Sequence, residues 1–301
     1  MQNWNTLSGG SGANVKEARL QLHHAVQPLA AAGAALIPSR ADYTHTSLES
    51  DPESGALLGA PFGQSIAKDN SKDQSKRGVR GALFFEDISL ALVADGEAFA
   101  RASLRGKSLA AAFAWFAGAL KDAGYTTDLK GDPLNLTLPE YPDYPEHSLV
   151  TEESLFNADP ERAVEVRRYF ENSQRLLKNI IAKFDGASPA TVWPHHFDLA
   201  TLITLKEPTE EGGEDGQSVG AGLSPGDMGN DAPYWYVTPW PYPDKDRLPK
   251  LTAGRWNTDG WVGAQLDAAE VLAAKPGEQE SVVESFLYEA VQASVDLISS
   301  K

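Results

Sequence analysis

Val192-Trp193-Pro194-His195-His196-Phe197-Asp198-Leu199-Ala200 holds two of the six histidines, a tryptophan, and an aspartate that opens an apolar run. No other nine residues gather as much reactive chemistry. Read as extended backbone, the stretch continues as a strand through Leu205, with alternate side chains on opposite faces. His196 and Asp198 then share one face, about 7 Å apart, and His195 joins Phe197 on the other. The strand follows a long helical pattern, so helices and strands share one chain: the predicted class is α+β.

Upstream, Asp159-Pro160 opens that helix, with aspartate as N-cap and proline at the first helical position. Its apolar stripe runs from Ala163 through Val166, Phe170, Ser173 and Leu177 to Phe184, and Gly186 follows its end. Downstream, the acidic loop Glu207–Gly216 leads to a strand at Val219–Leu223. The turn Ser224-Pro225-Gly226-Asp227 then delivers the aromatic run Tyr234–Tyr242. A strand near Trp261–Leu266 and a helix from about Glu278 to Ile298 close the chain.

The amino-terminal half repeats that order. After the glycine- and serine-rich Ser8–Gly12, apolar residues from Val15 to Leu36 lie at helical spacing, interrupted by Pro28. His23 and Gln27 flank that stripe and His24 points nearer to solvent. Strands are predicted at Thr44–Leu48 and Ala56–Ala60, around the turn Asp51-Pro52-Glu53-Ser54-Gly55. Ser65–Arg77 is polar and reads as a surface loop. Leu83–Val93 is a strand whose partner, Glu97–Leu104, returns through Asp95-Gly96, a strong hairpin signal. Ser108 caps a helix with inner face Leu109, Ala112, Phe113, Phe116 and Leu120, stopped by Gly124. The expected architecture is two pseudo-repeated helix–four-strand–helix halves with antiparallel sheets. Residues 1–126 form the first half, 127–158 an irregular connector rich in proline and tyrosine, and 159–301 the second half.

Leu22-His23…Gln27, Phe85-Glu86-Asp87…Leu90, Ser188-Pro189…Phe197-Asp198-Leu199-Ala200 and Pro233-Tyr234-Trp235-Tyr236 occur in the order of a known set of motifs. In these the chain resembles a bacterial family of uncharacterised proteins, a domain of unknown function about 300 residues long, over nearly its whole length. The resemblance implies no activity. Part of that family carries Gly-Ser in place of His195-His196, so any imidazole chemistry is read from this chain alone.

Composition narrows the classes of function. An apolar fraction of 42% supports a folded core, and a net charge of −16 opposes binding to nucleic acid or to anionic membrane surfaces. With no cysteine, disulfides, thiolate nucleophiles and cysteine-ligated metals are excluded. Neither a leader pattern nor an apolar run of about 18–20 residues is present, and the expected location is the cytoplasm. Phosphate-loop, dinucleotide and serine-elbow motifs are absent, so no motif assigns an enzyme class.

What remains is an aromatic and imidazole set. Trp193, His195, His196, Asp198, Tyr234, Tyr236 and Trp240, with His23, Gln27 and His45, are the candidate ligand-binding residues. Half-wet aromatic rings beside a few polar groups suit a small molecule, the expected partner. Nothing in the sequence sets an oligomeric state. A second reading is a metal-dependent hydrolase, in which His196 and Asp198, the candidate catalytic pair, join Asp227 and His45 around a divalent metal that lowers the pKa of bound water. A third is a pseudo-symmetric interaction module whose aromatic residues face a partner protein. Against all three stands a structural role, in which the histidine, the aspartate and the aromatic rings satisfy one another in a core.

Overall fold

The computed structural model describes residues 4–8, 12–62, 78–142, 144–210, 213 and 215–299, and its elements alternate helices with antiparallel strands, an α+β fold. Ser65–Arg77, most of the glycine-serine stretch before Gly12, and parts of the acidic loop after Glu207 lie outside the described residues. Among the described residues no helix is long and apolar enough to cross a membrane. The chain divides into two units. The first comprises Glu17–Arg167 and Val192–Phe197, and the second Met1–Lys16, Arg168–Thr191 and Asp198–Lys301.

The first unit is entered along α1 (Gly12–Ala25), which meets α2 (Gln27–Leu36) at Val26. Pro28 sits in the opening turn of α2, where its missing N–H leaves no helical bond unmade, so the predicted interruption is a junction between two helices. Every residue from Ala18 to Gly33 is buried, Arg19, Gln21, His23, His24 and Gln27 among them. This corrects the single-stripe reading, which placed His24 toward solvent. This stretch is enclosed all round, so its polar side chains meet protein groups rather than bulk water. Gln21 shows how: its amide donates to Glu17 and Asn157 side chains and its oxygen accepts from the backbone of Asn157 and Ala158.

The strands of this unit are β1 (Leu48–Asp51), β2 (Ala56–Gly59), β3 (Arg80–Phe84), β4 (Ser89–Ala94) and β5 (Glu97–Ser103), antiparallel and neighbours in chain order. Val192 of β6 (Thr191–Trp193) pairs with Leu48 on the outer side of β1. Asp95 and Gly96 have φ of 52° and 83°, the left-handed backbone that a two-residue hairpin requires. The predicted strand Leu83–Val93 is instead two strands joined by a turn at residues 85–88. Ile88 has φ 44°, a rare value for a β-branched residue, and its side chain is buried in the core. Ser108 caps α3 (Leu109–Asp122), accepting from the Ala111 amide at 3.2 Å. Phe116 of α3 and Leu29 of α2 press onto the sheet at Gly81, where a Cβ would lie 2.8 and 3.0 Å from them.

Asp159 caps α4 (Pro160–Lys183) by accepting from the amides of Glu161 and Arg162, as the sequence predicts, and from Arg168 onward this helix belongs to the second unit. The strands are β7 (Asp198–Lys206), β8 (Gln217–Ser224), β9 (Tyr234–Trp240), β10 (Arg255–Asn257) and β11 (Gly263–Asp267). They are antiparallel in the order β7-β8-β9-β11-β10, whereas those of the first unit run β1 to β5 in sequence. The expected duplication therefore does not extend to strand order. Short α5 (Ala268–Ala273) precedes α6 (Gln279–Ser299), whose Val283, Phe286, Leu287 and Ala290 are buried with Val219, Ala221, Leu223 and Val237 of the sheet. Trp235 is fully enclosed there, and its indole N–H donates to Ser173 Oγ at 2.8 Å. That bond explains a serine in the otherwise apolar stripe of α4.

Candidate functional site

The quoted stretch is not one strand. Residues 194–197 form a turn between β6 and β7, closed by the Phe197 amide donating to the Trp193 carbonyl at 2.7 Å. Phe197 has φ 57° and a fully buried ring, His195 is half-buried and His196 is exposed. His196 and Asp198 do not stand at alternate positions of one strand, because His196 lies in the turn and the left-handed Phe197 separates them.

The turn brings its backbone and rings to α1. His23 Nε2 lies 2.9 Å from the Pro194 carbonyl, and the Gln27 amide donates to that carbonyl at 2.8 Å and to the His23 carbonyl at 2.9 Å. The His23 ring stacks on Phe197, centroids 5.3 Å apart and planes 12° apart. Tyr144 lies edge-on to His23 at 5.1 Å and packs against His24 at 4.9 Å. Tyr141 contacts Tyr144 and His195, and Trp193 and His196 contact His195. His23, Gln27, Trp193, His195 and His196 thus belong to one aromatic and imidazole cluster of the first unit, with Tyr141, Tyr144, His147 and His24 added. Sequence reasoning missed those four. The signal that could have found three of them is the spacing Tyr141-x-x-Tyr144-x-x-His147, with no other periodicity around it.

Hydrogen-bond partners fix the protons. A carbonyl can only accept, so His24, with Nδ1 at 2.8 Å from the Leu20 carbonyl, carries its proton on Nδ1. By the same logic His23 is protonated on Nε2. His147 accepts from the Leu149 amide at Nδ1, so its Nε2–H donates to Glu17 at 3.2 Å. Burial above all, then the neighbouring His24, pushes the pKa of His23 down to about 3, against a smaller upward pull from the Pro194 carbonyl. Burial likewise lowers His24 to about 4, opposed by the Leu20 carbonyl. Burial and then His196 lower His195 to about 4. Tyr141 is pushed up to about 12 by burial, and burial followed by Tyr141 raises Tyr144 far above the ordinary phenol range. Near neutral pH the inner cluster is uncharged.

Three buried polar atoms in this cluster have no hydrogen-bond partner among the described residues: His24 Nε2, Gln27 Oε1 and Tyr144 OH. Each belongs to a side chain that is otherwise held, His24 and Gln27 by their bonds to carbonyls and Tyr144 by its ring contacts.

The remaining candidates lie elsewhere. His45 Nδ1 accepts from the Arg40 amide at 3.2 Å and staples the loop before β1. Asp227 Oδ1 accepts from the amides of Gly229 and Asn230 while its Oδ2 accepts from Tyr234 OH at 2.5 Å, so this carboxylate holds its own turn. Trp240 is exposed and meets Tyr242 edge-on at 5.5 Å. Among the described residues no group of three histidine, aspartate or glutamate side chains is arranged to hold a metal ion.

Asp198 Oδ2 accepts from Tyr236 OH at 2.5 Å, a bond that spans β8 because Ala200, Gly222 and Tyr236 are successive partners across the sheet. Burial, then the Asp198 charge, raises the Tyr236 phenol well above its usual pKa. The ring crosses at Gly222, where a Cβ would stand 2.5 Å from the Leu199 carbonyl oxygen and 2.9 Å from Tyr236 Cζ. Gly222→Ala is expected to cost about 1–3 kcal/mol in urea unfolding through overpacking. At Gly220, two residues earlier, the nearest atom is 3.8 Å away, and Gly220→Ala should be close to neutral. Equal effects of the two substitutions would show that the Tyr236 crossing does not require the glycine.

No protein-family model, curated protein or solved structure matches the chain.

Proposed function

We propose that the first unit binds a small uncharged molecule at the cluster of His23, His24, Gln27 and Tyr144, with Trp193, Tyr141 and His195 around it. The observation that carries this reading is the set of three buried polar atoms without a partner among the described residues. An unsatisfied buried polar group costs about 1–3 kcal/mol, and native proteins seldom leave three together. A molecule from outside the chain that pairs with them removes that penalty. Rings flanking the polar atoms supply apolar contact for its body, the usual composition of a ligand site. Neutral imidazoles at physiological pH favour an uncharged ligand.

Native mass spectrometry of the protein as isolated from cells, together with ring-nitrogen NMR of its histidines, tests this. The expected result is a retained small mass, or saturable shifts of the His23 and His24 signals with members of a fragment library spanning neutral, anionic and cationic compounds. The shifts should weaken in Tyr144→Phe. If no compound moves those signals and no mass is retained, buried water alone serves the three atoms and the reading is wrong.

A further inference from the structure

We infer that the molecule bound at this cluster is recognised as a hydrogen-bond donor: a neutral group presenting two N–H or O–H protons, as a carboxamide or a vicinal diol does. This rests on the ligand-binding reading above and specifies the ligand's chemistry. The His24 proton is committed to the Leu20 carbonyl, so the unpartnered Nε2 is a bare lone pair. Both protons of the Gln27 amide are committed to the carbonyls of His23 and Pro194, and the opposite amide orientation would set its oxygen against two carbonyl oxygens. The unpartnered Oε1 is therefore also an acceptor.

His24 lies at the end of α1 and Gln27 opens α2; Val26 between them keeps helical backbone angles (φ −78°, ψ −15°), so the two residues stand at neighbouring helical positions. Both are fully buried, so neither acceptor can turn to solvent. The third atom, Tyr144 OH, both donates and accepts, and its ring lies against that of His24. A carboxamide supplies the matching atom types: two N–H donors for the acceptors His24 Nε2 and Gln27 Oε1, and an oxygen able to accept from a tyrosine hydroxyl. A vicinal diol does the same with two hydroxyls. An anion would set its oxygens against two fixed acceptors. A cation would meet the environment that already disfavours the charged forms of His23 and His24.

The test titrates the isotopically labelled full-length protein with propionamide and 1,2-propanediol, and with their methylated counterparts N,N-dimethylpropionamide and 1,2-dimethoxyethane. Propionate and propylammonium complete the set. The expected result is that one or both donor probes shift the His24 ring-nitrogen signals saturably, at least roughly tenfold more tightly than the methylated forms. The two donor arms identify which source of the chemistry is preferred. Tyr144→Phe, which removes one hydroxyl from a half-buried ring and so leaves folding intact, should weaken binding about tenfold; His24→Phe should abolish it. Methylated or charged probes binding at the same signals as tightly as the donors would overturn this inference and leave the ligand-binding reading standing. Failure of every probe, together with no retained mass, would overturn both.

Discussion

On acidification from about pH 7.5 to about pH 5, the protein is expected to lose about 4 kcal/mol of stability, about 2 kcal/mol from each of His23 and His24. Both are fully buried and neutral in the fold, with pKa values of about 3 and about 4, against 6.5 for an unperturbed imidazole. The unfolded chain therefore binds protons at each site as the pH drops below 6.5, and the folded chain does not. Stability is fully present above the unfolded value and declines with falling pH until the folded values are reached. At about pH 5 the size of the loss depends on the unfolded pKa alone, provided that the folded values lie below 5. Other charges near the pair act in opposite directions, Arg19 lowering His23 and Glu17 raising His24. Half-buried His195 adds a smaller loss of the same sign. Carboxylates such as Asp267, which burial pushes up but the bonds to Arg255 and Gln265 together bring below the ordinary value, lose their contribution only at more acidic pH. Urea unfolding at several pH values across this window measures the slope. A stability unchanged down to about pH 5 would mean that these imidazoles are protonated in the fold, and the neutral site would be excluded.

What could be read from the sequence was local chemistry. Asp159-Pro160, Ser108 and Asp95-Gly96 set helix starts and a hairpin through bonds within a few residues, and all three are found where predicted. The turns at 85–88 and 194–197 were not legible. Ile88 and Phe197 adopt positive φ although neither residue type favours it; burial of their side chains, a property of the folded unit, holds them there. His24 was misplaced for a related reason. A helical stripe predicts one buried face, whereas α1 is enclosed on all sides from Ala18 to Ala25, which sequence periodicity alone does not reveal. The site was half legible: His23, Gln27, Trp193 and His195 were chosen on residue chemistry, while Tyr141 and Tyr144 sit in a segment without periodicity.

Phe197→Ala is expected to destabilise the protein by about 3–5 kcal/mol, the range for truncating a fully buried phenylalanine. The ring stacks on His23, whose Nε2 and whose neighbour Gln27 both bind the Pro194 carbonyl of the same turn. Removing the ring thus loosens the wall that positions the His23 imidazole as well as opening a cavity. The left-handed backbone adds a second, separable term. An L-residue at φ 57° bears a penalty of about 1–2 kcal/mol that glycine avoids. At an ordinary position glycine is less stable than alanine by about 0.5–1 kcal/mol. Here the order should reverse, with Phe197→Gly as stable as Phe197→Ala or more stable by about 1 kcal/mol. Phe197→Leu should lie closer to the native protein than either, since it retains most of the apolar volume and loses the ring stacking on His23. Urea unfolding of the three variants, with the ring-nitrogen signals of His23 recorded for each, gives the comparison. An alanine variant clearly more stable than the glycine variant would show that the turn does not hold Phe197 in the left-handed region, and with it would fall the account of how His195 and His196 are turned away from the strand.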